Sequence, residues 1–243
     1  MYIFRLENRL VFRSLPLYNG SSNTAAPAAG REVSVMIGSQ EFWNRRARVY
    51  DQQVGPLYEA AYDKTVANTL RYLRPDFRVL DFACGTGITT AQIAPHVASV
   101  RAIDISAEMA ARARGKVDAL GLTNVEVSHA QIWDPSLTEG SFDAVTAFNV
   151  LCYLPDRPQV LARIRALLKP GGLFLSATDC LGEKLTRVGL KKWWNSHTGA
   201  MPYVAFDSMR GLERAVADAG FQVVERENLF PAPPNLFLAG VRS

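Results

Sequence analysis

The chain has 243 residues, enough for one sizeable core and too few for two large independent domains. Hydrophobic residues at 48% and charged residues at 21% fit an ordinary globular protein and exclude a disordered or fibrous one. The net charge of +4 comes from 27 basic and 23 acidic residues interspersed along the chain, without the localised basic face that nucleic-acid readout needs. No run approaches the ~20 apolar residues of a membrane span. Cys84, Cys152 and Cys180 are too separated for a disulfide framework, which predicts a reducing, cytoplasmic setting. His96, His129 and His197 lack metal-ligand spacing, so no metal site is expected.

Residues 1–38 combine Asn19-Gly20-Ser21-Ser22-Asn23-Thr24 with an Ala/Pro/Gly stretch and predict a disordered tail. Arg5, Arg9 and Arg13 suggest a transit peptide, although Glu7 interrupts the pattern; a true start near Met36 is the alternative. From Ser39 to the chain end a single domain is expected, opening with a helical cap over 39–75. Ser39 reads as an N-cap ahead of Glu41–Gln53, and Pro56 as the opening of a second helix to Leu73. Then the period changes. Phe77–Phe82 is a short apolar strand, followed by a glycine turn and a helix through Ala94. Further strands are predicted at Val97–Ile103, Val125–Ser128, Phe142–Phe148, Leu173–Ala177, Phe221–Glu227 and Leu236–Val241. Helices fall at Ser106–Leu120, Arg157–Leu168 and Asp207–Ala219. Such alternation builds a Rossmann-like, doubly wound α/β sheet of seven mostly parallel strands with helices on both faces. Residues 180–206 break the rhythm and read as an insertion over the site mouth, with Lys184, Arg187, Lys191 and Lys192 beside Trp193, Trp194, His197 and Tyr203.

In such a sheet ligands bind beyond the C-terminal strand ends, so those residues carry the functional argument. Gly85 and Gly87 permit close backbone approach after the first strand. Asp104 ends the second strand seventeen residues after Gly87, near the separation expected of a carboxylate that accepts both ribose hydroxyls. Together they indicate an adenosine ligand. The third glycine of the dinucleotide signature is missing from Gly85-Thr86-Gly87-Ile88-Thr89-Thr90, which disfavours NAD.

Val79-Leu80-Asp81-Phe82-Ala83-Cys84-Gly85-Thr86-Gly87 resembles the first motif of class I S-adenosylmethionine-dependent methyltransferases. Ala102-Ile103-Asp104-Ile105-Ser106 resembles their ribose-binding strand end, Phe142-Asp143-Ala144-Val145 their fourth strand, and Leu168-Lys169-Pro170-Gly171-Gly172 the turn before strand five. The resemblance covers about residues 40–178 and is greatest to the branch of quinone-biosynthesis and small-molecule methyltransferases. It departs from the pattern at Ala83, where the first glycine usually stands, and at His129, where an acidic adenine contact is common.

The resemblance implies S-adenosylmethionine as cofactor and S-adenosylhomocysteine as product. It places Asp81, Ala83, Cys84, Gly85, Thr86 and Gly87 along the methionine part and Asp104 on the ribose. Ile105 then flanks the adenine, and His129, Ala130, Gln131 and Ile132 follow its polar edge. Asn149 stands near the sulfonium and the acceptor, and Tyr50 closes the site. Each has a plainer alternative: a strand-to-helix turn for the glycines, a helix cap for Asp104, a local turn for Asn149, core packing for Tyr50. Methyl transfer from a sulfonium needs alignment and exclusion of water more than a nucleophile, with His197 or Tyr203 as candidate bases and a small, partly aromatic acceptor. Two alternatives are a lipid-headgroup transferase using Lys191-Lys192-Trp193-Trp194 at a membrane surface and a protein that binds the cofactor without methylating.

Overall fold

The computed structural model describes residues 29–243. Most of the expected tail lies outside those residues, but its last part is helical: α1 runs Ala29–Ala47 and contains Ser39 rather than starting after it. Between Arg31 and Ile37 there is no glycine or proline to stop a helix, so a capping residue at 39 has nothing to cap. Helix α2, Tyr50–Leu70, likewise takes Pro56 into its interior, the break falling instead at Arg48 and Val49. Pro56 stands past the first turn of α2, where a proline removes one intrahelical bond and its ring crowds the carbonyl four residues back.

Seven strands follow: β1 (Arg78–Phe82), β2 (Ser99–Asp104), β3 (Val125–His129), β4 (Phe142–Phe148), β5 (Leu168–Asp179), β6 (Phe221–Pro231) and β7 (Pro234–Arg242). Their order is β3-β2-β1-β4-β5-β7-β6, and only β7 runs against its neighbours. Helices α3 (Ile88–Ile93), α4 (Ala107–Ala119), α5 (Arg157–Leu167), α6 (Arg187–His197) and α7 (Met209–Asp218) fill the connections. Strand order reverses between β1 and β4, so a crevice opens above their C-terminal ends. The expected doubly wound, mostly parallel sheet is present.

Alternation along the strands supplies two cores. Leu80, Phe82, Ile103 and Val145 face α5 and α7, meeting Leu161, Ile164, Leu212 and Val216. Val79, Val100, Ala102 and Ala144 face the other way, toward Ile93, Ala94 and Ala113. Each fully buried aliphatic side chain contributes about 1.5–3 kcal/mol relative to exposure. The outer hairpin is anchored to α2, where Asn68 donates to Glu227 at 2.7 Å and Arg71 to Glu225 at 2.9 Å.

Residues 180–206 do form an insertion between β5 and α7, with α6 at its centre. Ser208, not Asp207, caps α7 by accepting from the Gly211 N–H. Asp207 instead receives both guanidinium arms of Arg157, at 2.5 and 3.0 Å, tying the insertion to α5. With side chains only 16% and 19% exposed, this pair is screened less than a surface pair. Asp207→Ala is expected to lower the urea unfolding free energy by about 2 kcal/mol, because the guanidinium keeps its desolvation and loses its partner. A loss under about 0.5 kcal/mol would show the pair behaving as a surface contact.

Candidate active site

After β1 the chain turns through a left-handed run: Ala83 at φ 57°, Gly85 at φ 57° and Gly87 at φ 77°. The two glycines have different work. A Cβ on Gly87 would sit 3.1 Å from Ala113 of α4, so this residue lets two helices meet. Gly85 has nothing within 4 Å of its would-be Cβ and faces open space. Ala83 adopts the same region with a side chain, a conformation that costs an L-residue roughly 1–2 kcal/mol.

Asp104, 7% exposed at the end of β2, organises this turn. Its Oδ2 accepts the Gly85 N–H at 2.9 Å and its Oδ1 accepts the Ser106 N–H at 2.8 Å. Each carboxylate oxygen has two lone-pair directions, so one on each stays available to a ligand. Ser106, whose Oγ accepts the Met109 N–H at 3.1 Å, is the cap of α4, so the capping alternative for Asp104 is met by its neighbour. Burial pushes the Asp104 carboxyl above its ordinary range, against the pull of the Ser106 and Gly85 N–H groups and nearby His129.

Above Asp104 lies a cavity of about 980 Å³, its open mouth included. It brings together Tyr50, Ala83, Gly85, Asp104, Ile105, Ile132 and Asn149. An adjoining recess holds Asp81, Cys84 and Thr86 beside Tyr62. Thr86 donates to Asp51 of α2 at 2.5 Å, and Asp51 pairs with Lys116 at 3.2 Å. Other residues fall elsewhere. His129 turns its Nε2 to the Ile105 carbonyl at 3.0 Å and to Gln40 at 3.2 Å, while Ala130 and Gln131 lie outside the lining. Gly87 faces α4. His197 stacks on Trp193 with ring centroids 4.3 Å apart and bonds the Trp193 carbonyl at 2.8 Å, so the geometry assigns it to α6 rather than to the cavity.

The insertion reaches the cavity through Pro202 and Tyr203, not through its tryptophans, which are 41% and 61% exposed. Lys192 points inward to Asp179 at 2.9 Å, which splits the basic-aromatic cluster read from the sequence. Sequence reasoning also missed Trp43 and Tyr153, whose rings meet edge to face at 5.2 Å; Trp43 meets Tyr50 at 6.4 Å. Only an aromatic residue just after the fourth strand signalled Tyr153. Helix α1 is latched over the cofactor side, where Asn44 Oδ1 accepts the Ser106 hydroxyl at 2.6 Å.

A family model described as a methyltransferase domain matches residues 79–172. A trans-aconitate 2-methyltransferase from Deinococcus radiodurans is 40% identical over 102 residues, 41% of this chain and 37% of that protein. The chain thus matches little more than a third of that relative's length. A phosphatidylethanolamine N-methyltransferase from Cereibacter sphaeroides is 26% identical over 195 residues, 80% of this chain and 93% of that protein. The solved complex of DhpI with SAH superposes at a TM-score of 0.65 and 22% identity, covering 85% of this chain and 96% of that one. Residues 79–172 therefore resemble a methyltransferase domain, and the chain has the fold of solved S-adenosylmethionine-dependent methyltransferases.

Asp81 lies beneath the site, accepting from Thr90 at 2.5 Å and Thr146 at 2.8 Å. Burial nevertheless raises its carboxyl from 3.8 to about 6. Because the folded state holds this proton more tightly, the stability it contributes is complete below the unfolded value and is lost as pH rises through the folded one. Urea unfolding is expected to show stability falling by up to ~3 kcal/mol from about pH 4 to about pH 7, with Asp81→Asn removing most of that fall. An unchanged pH profile in the variant would assign the dependence to other groups.

Proposed function

We propose that the protein transfers the methyl group of S-adenosylmethionine to a small-molecule acceptor and releases S-adenosylhomocysteine. The observation that carries this reading is Asp104. Its carboxylate is held by two backbone donors at the strand-order reversal, with one lone pair per oxygen facing a cavity that also runs to the aromatic side chains of Trp43, Tyr50 and Tyr153. The methyltransferase family model over residues 79–172 and the named relatives support it.

The bound cofactor supplies an electrophilic methyl carbon: a lone pair of the acceptor forms the new bond as the carbon–sulfur bond breaks and its electrons pass to sulfur. The chain's residues divide the remaining work. Asp104 takes the two ribose hydroxyls, and Ile105 and Ile132 offer apolar faces to the adenine. The backbone at Ala83 and Gly85 allows the methionine part to lie close. At the far end Trp43, Tyr50 and Tyr153 exclude water and suit a partly aromatic acceptor. Burial raises the phenols of Tyr50 and Tyr153, so both remain neutral at physiological pH and act as wall and hydrogen-bonding groups rather than bases. An acceptor that arrives already ionised needs no base.

Cys84, Cys152 and Cys180 are free and buried, in keeping with a reducing compartment. Among the described residues no helix is long and apolar enough to cross a membrane.

Asp104→Ala is expected to weaken S-adenosylhomocysteine binding by about 100-fold or more, the loss of two hydrogen bonds to a charged group at about 1.5 kcal/mol or more each. Trp193→Ala with Trp194→Ala should leave that affinity unchanged. Titration calorimetry on variants shown to be folded by circular dichroism measures both; native affinity in folded Asp104→Ala would remove the ribose role.

A further inference from the structure

Beside the acceptor end of the cavity runs a row of polar side chains drawn from five elements. Lys192 of α6 places Nζ 2.9 Å from Asp179 Oδ2 at the end of β5 and 5.6 Å from the centre of the Tyr153 ring. Asn235 at the start of β7 uses Nδ2 twice, donating at 2.9 Å to Asp179 Oδ1 and at 2.9 Å to Asn149 Oδ1. Asn149 follows β4 in the left-handed region, φ 54°, with its N–H bonded to the Ala177 carbonyl at 2.6 Å. Beyond it on α2, the Tyr62 hydroxyl lies 3.2 Å from that of Tyr50.

The direction of each bond follows from the ion pair. The Asp179 carboxylate, paired with Lys192, offers only acceptor oxygens, so Asn235 must present its NH2 group there. A reversed Asn235 would set amide oxygen against carboxylate oxygen in surroundings where Asn235 is only 7% exposed. With Nδ2 spent on Asp179 and Asn149, Asn149 must turn its own oxygen toward Asn235. Its Nδ2 is then the end it presents to the cavity it lines.

We propose that the Lys192–Asp179 ion pair, acting through Asn235, fixes Asn149 as a hydrogen-bond donor in the acceptor pocket, so that the site selects an acceptor carrying a lone-pair oxygen, as in a carbonyl, carboxylate or phenolate, beside the atom to be methylated. This rests on the methyl-transfer reading above. Asn235 and Lys192 are positioning residues, and the insertion contributes to specificity through the inner face of α6 rather than through Trp193 and Trp194. The same arrangement disfavours a cationic or donor-only head group, which would face an N–H with no lone pair to offer it.

The test uses protein loaded with S-adenosylhomocysteine and two probes of one ring size, benzoate and benzylammonium, with binding read by saturation-transfer NMR. Native protein is expected to favour benzoate by about tenfold, the worth of one hydrogen bond to a charged oxygen. Asp179→Asn combined with Asn235→Asp keeps net charge and volume while reversing the amide chain, so Asn149 presents its oxygen and the preference passes to benzylammonium. A packing role alone would not invert that ratio. Should the double variant fail to fold by circular dichroism, Asn149→Asp puts acceptor oxygen in the same place directly and is expected to invert the preference likewise. Equal binding of both probes to native protein, or an unchanged preference in the folded variant, overturns the inference. Failure of native protein to bind S-adenosylhomocysteine removes the methyl-transfer reading instead; the same preference and inversion are then required of unloaded protein.

Discussion

A single carboxylate joins the two connections that create the site. Asp104 sits at the end of β2, yet its oxygens hold the backbone of Gly85 after β1 and of Ser106 before α4. Without an anion between them, two buried N–H groups would lose their partners, each at a cost of about 1–3 kcal/mol. The glycine turn, the start of α4 and the ribose-facing lone pairs are therefore one electrostatic unit. Its buried charge persists because backbone donors replace water on one side and leave the other side open to a ligand.

Around that unit the protein closes a lid of unrelated elements, each by a small polar contact. Asn44 of α1 reaches Ser106, Gln40 reaches His129, and Asp51 of α2 bridges Thr86 and Lys116. The acceptor side is closed by aromatic edges from Trp43, Tyr50 and Tyr153 and by Tyr203 from the insertion. In the proposed function cofactor contacts rest on the sheet, whereas acceptor contacts come from α1, α2, the stretch after β4 and the insertion, a division that lets one scaffold serve many acceptors.

That division also explains what the sequence revealed. Strand and helix periods, the stops at Gly121 and Lys169–Gly172, and the Gly85/Asp104 pair are local signals; the sheet followed from the first two, and Gly85 and Asp104 line one cavity. The acceptor side did not follow, because its contacts join side chains of different elements: Lys192 of α6 with Asp179 of β5, and Asn235 with Asn149 across 86 positions. Periodicity cannot show which face of α6 turns inward, so Lys192 read as part of a solvated cluster and His197 as a base. Helix starts failed for a related reason. Ser39 and Pro56 have the chemistry of a boundary, but a boundary forms only where the neighbouring turns break, and here they do not.

The Lys192–Asp179 pair has a consequence for how the enzyme's pocket responds to its medium. Exposed pairs such as Arg45–Glu41, with side chains 77% and 61% accessible, weaken as ionic strength rises toward the point where the Debye length falls to about 3 Å. Lys192 and Asp179, at 22% and 17%, lie largely beyond that screening cloud's reach. Salt can therefore loosen the outer surface of α1 while the polarity of the acceptor wall stays fixed, so the chemistry the pocket prefers is set by the fold rather than by its surroundings.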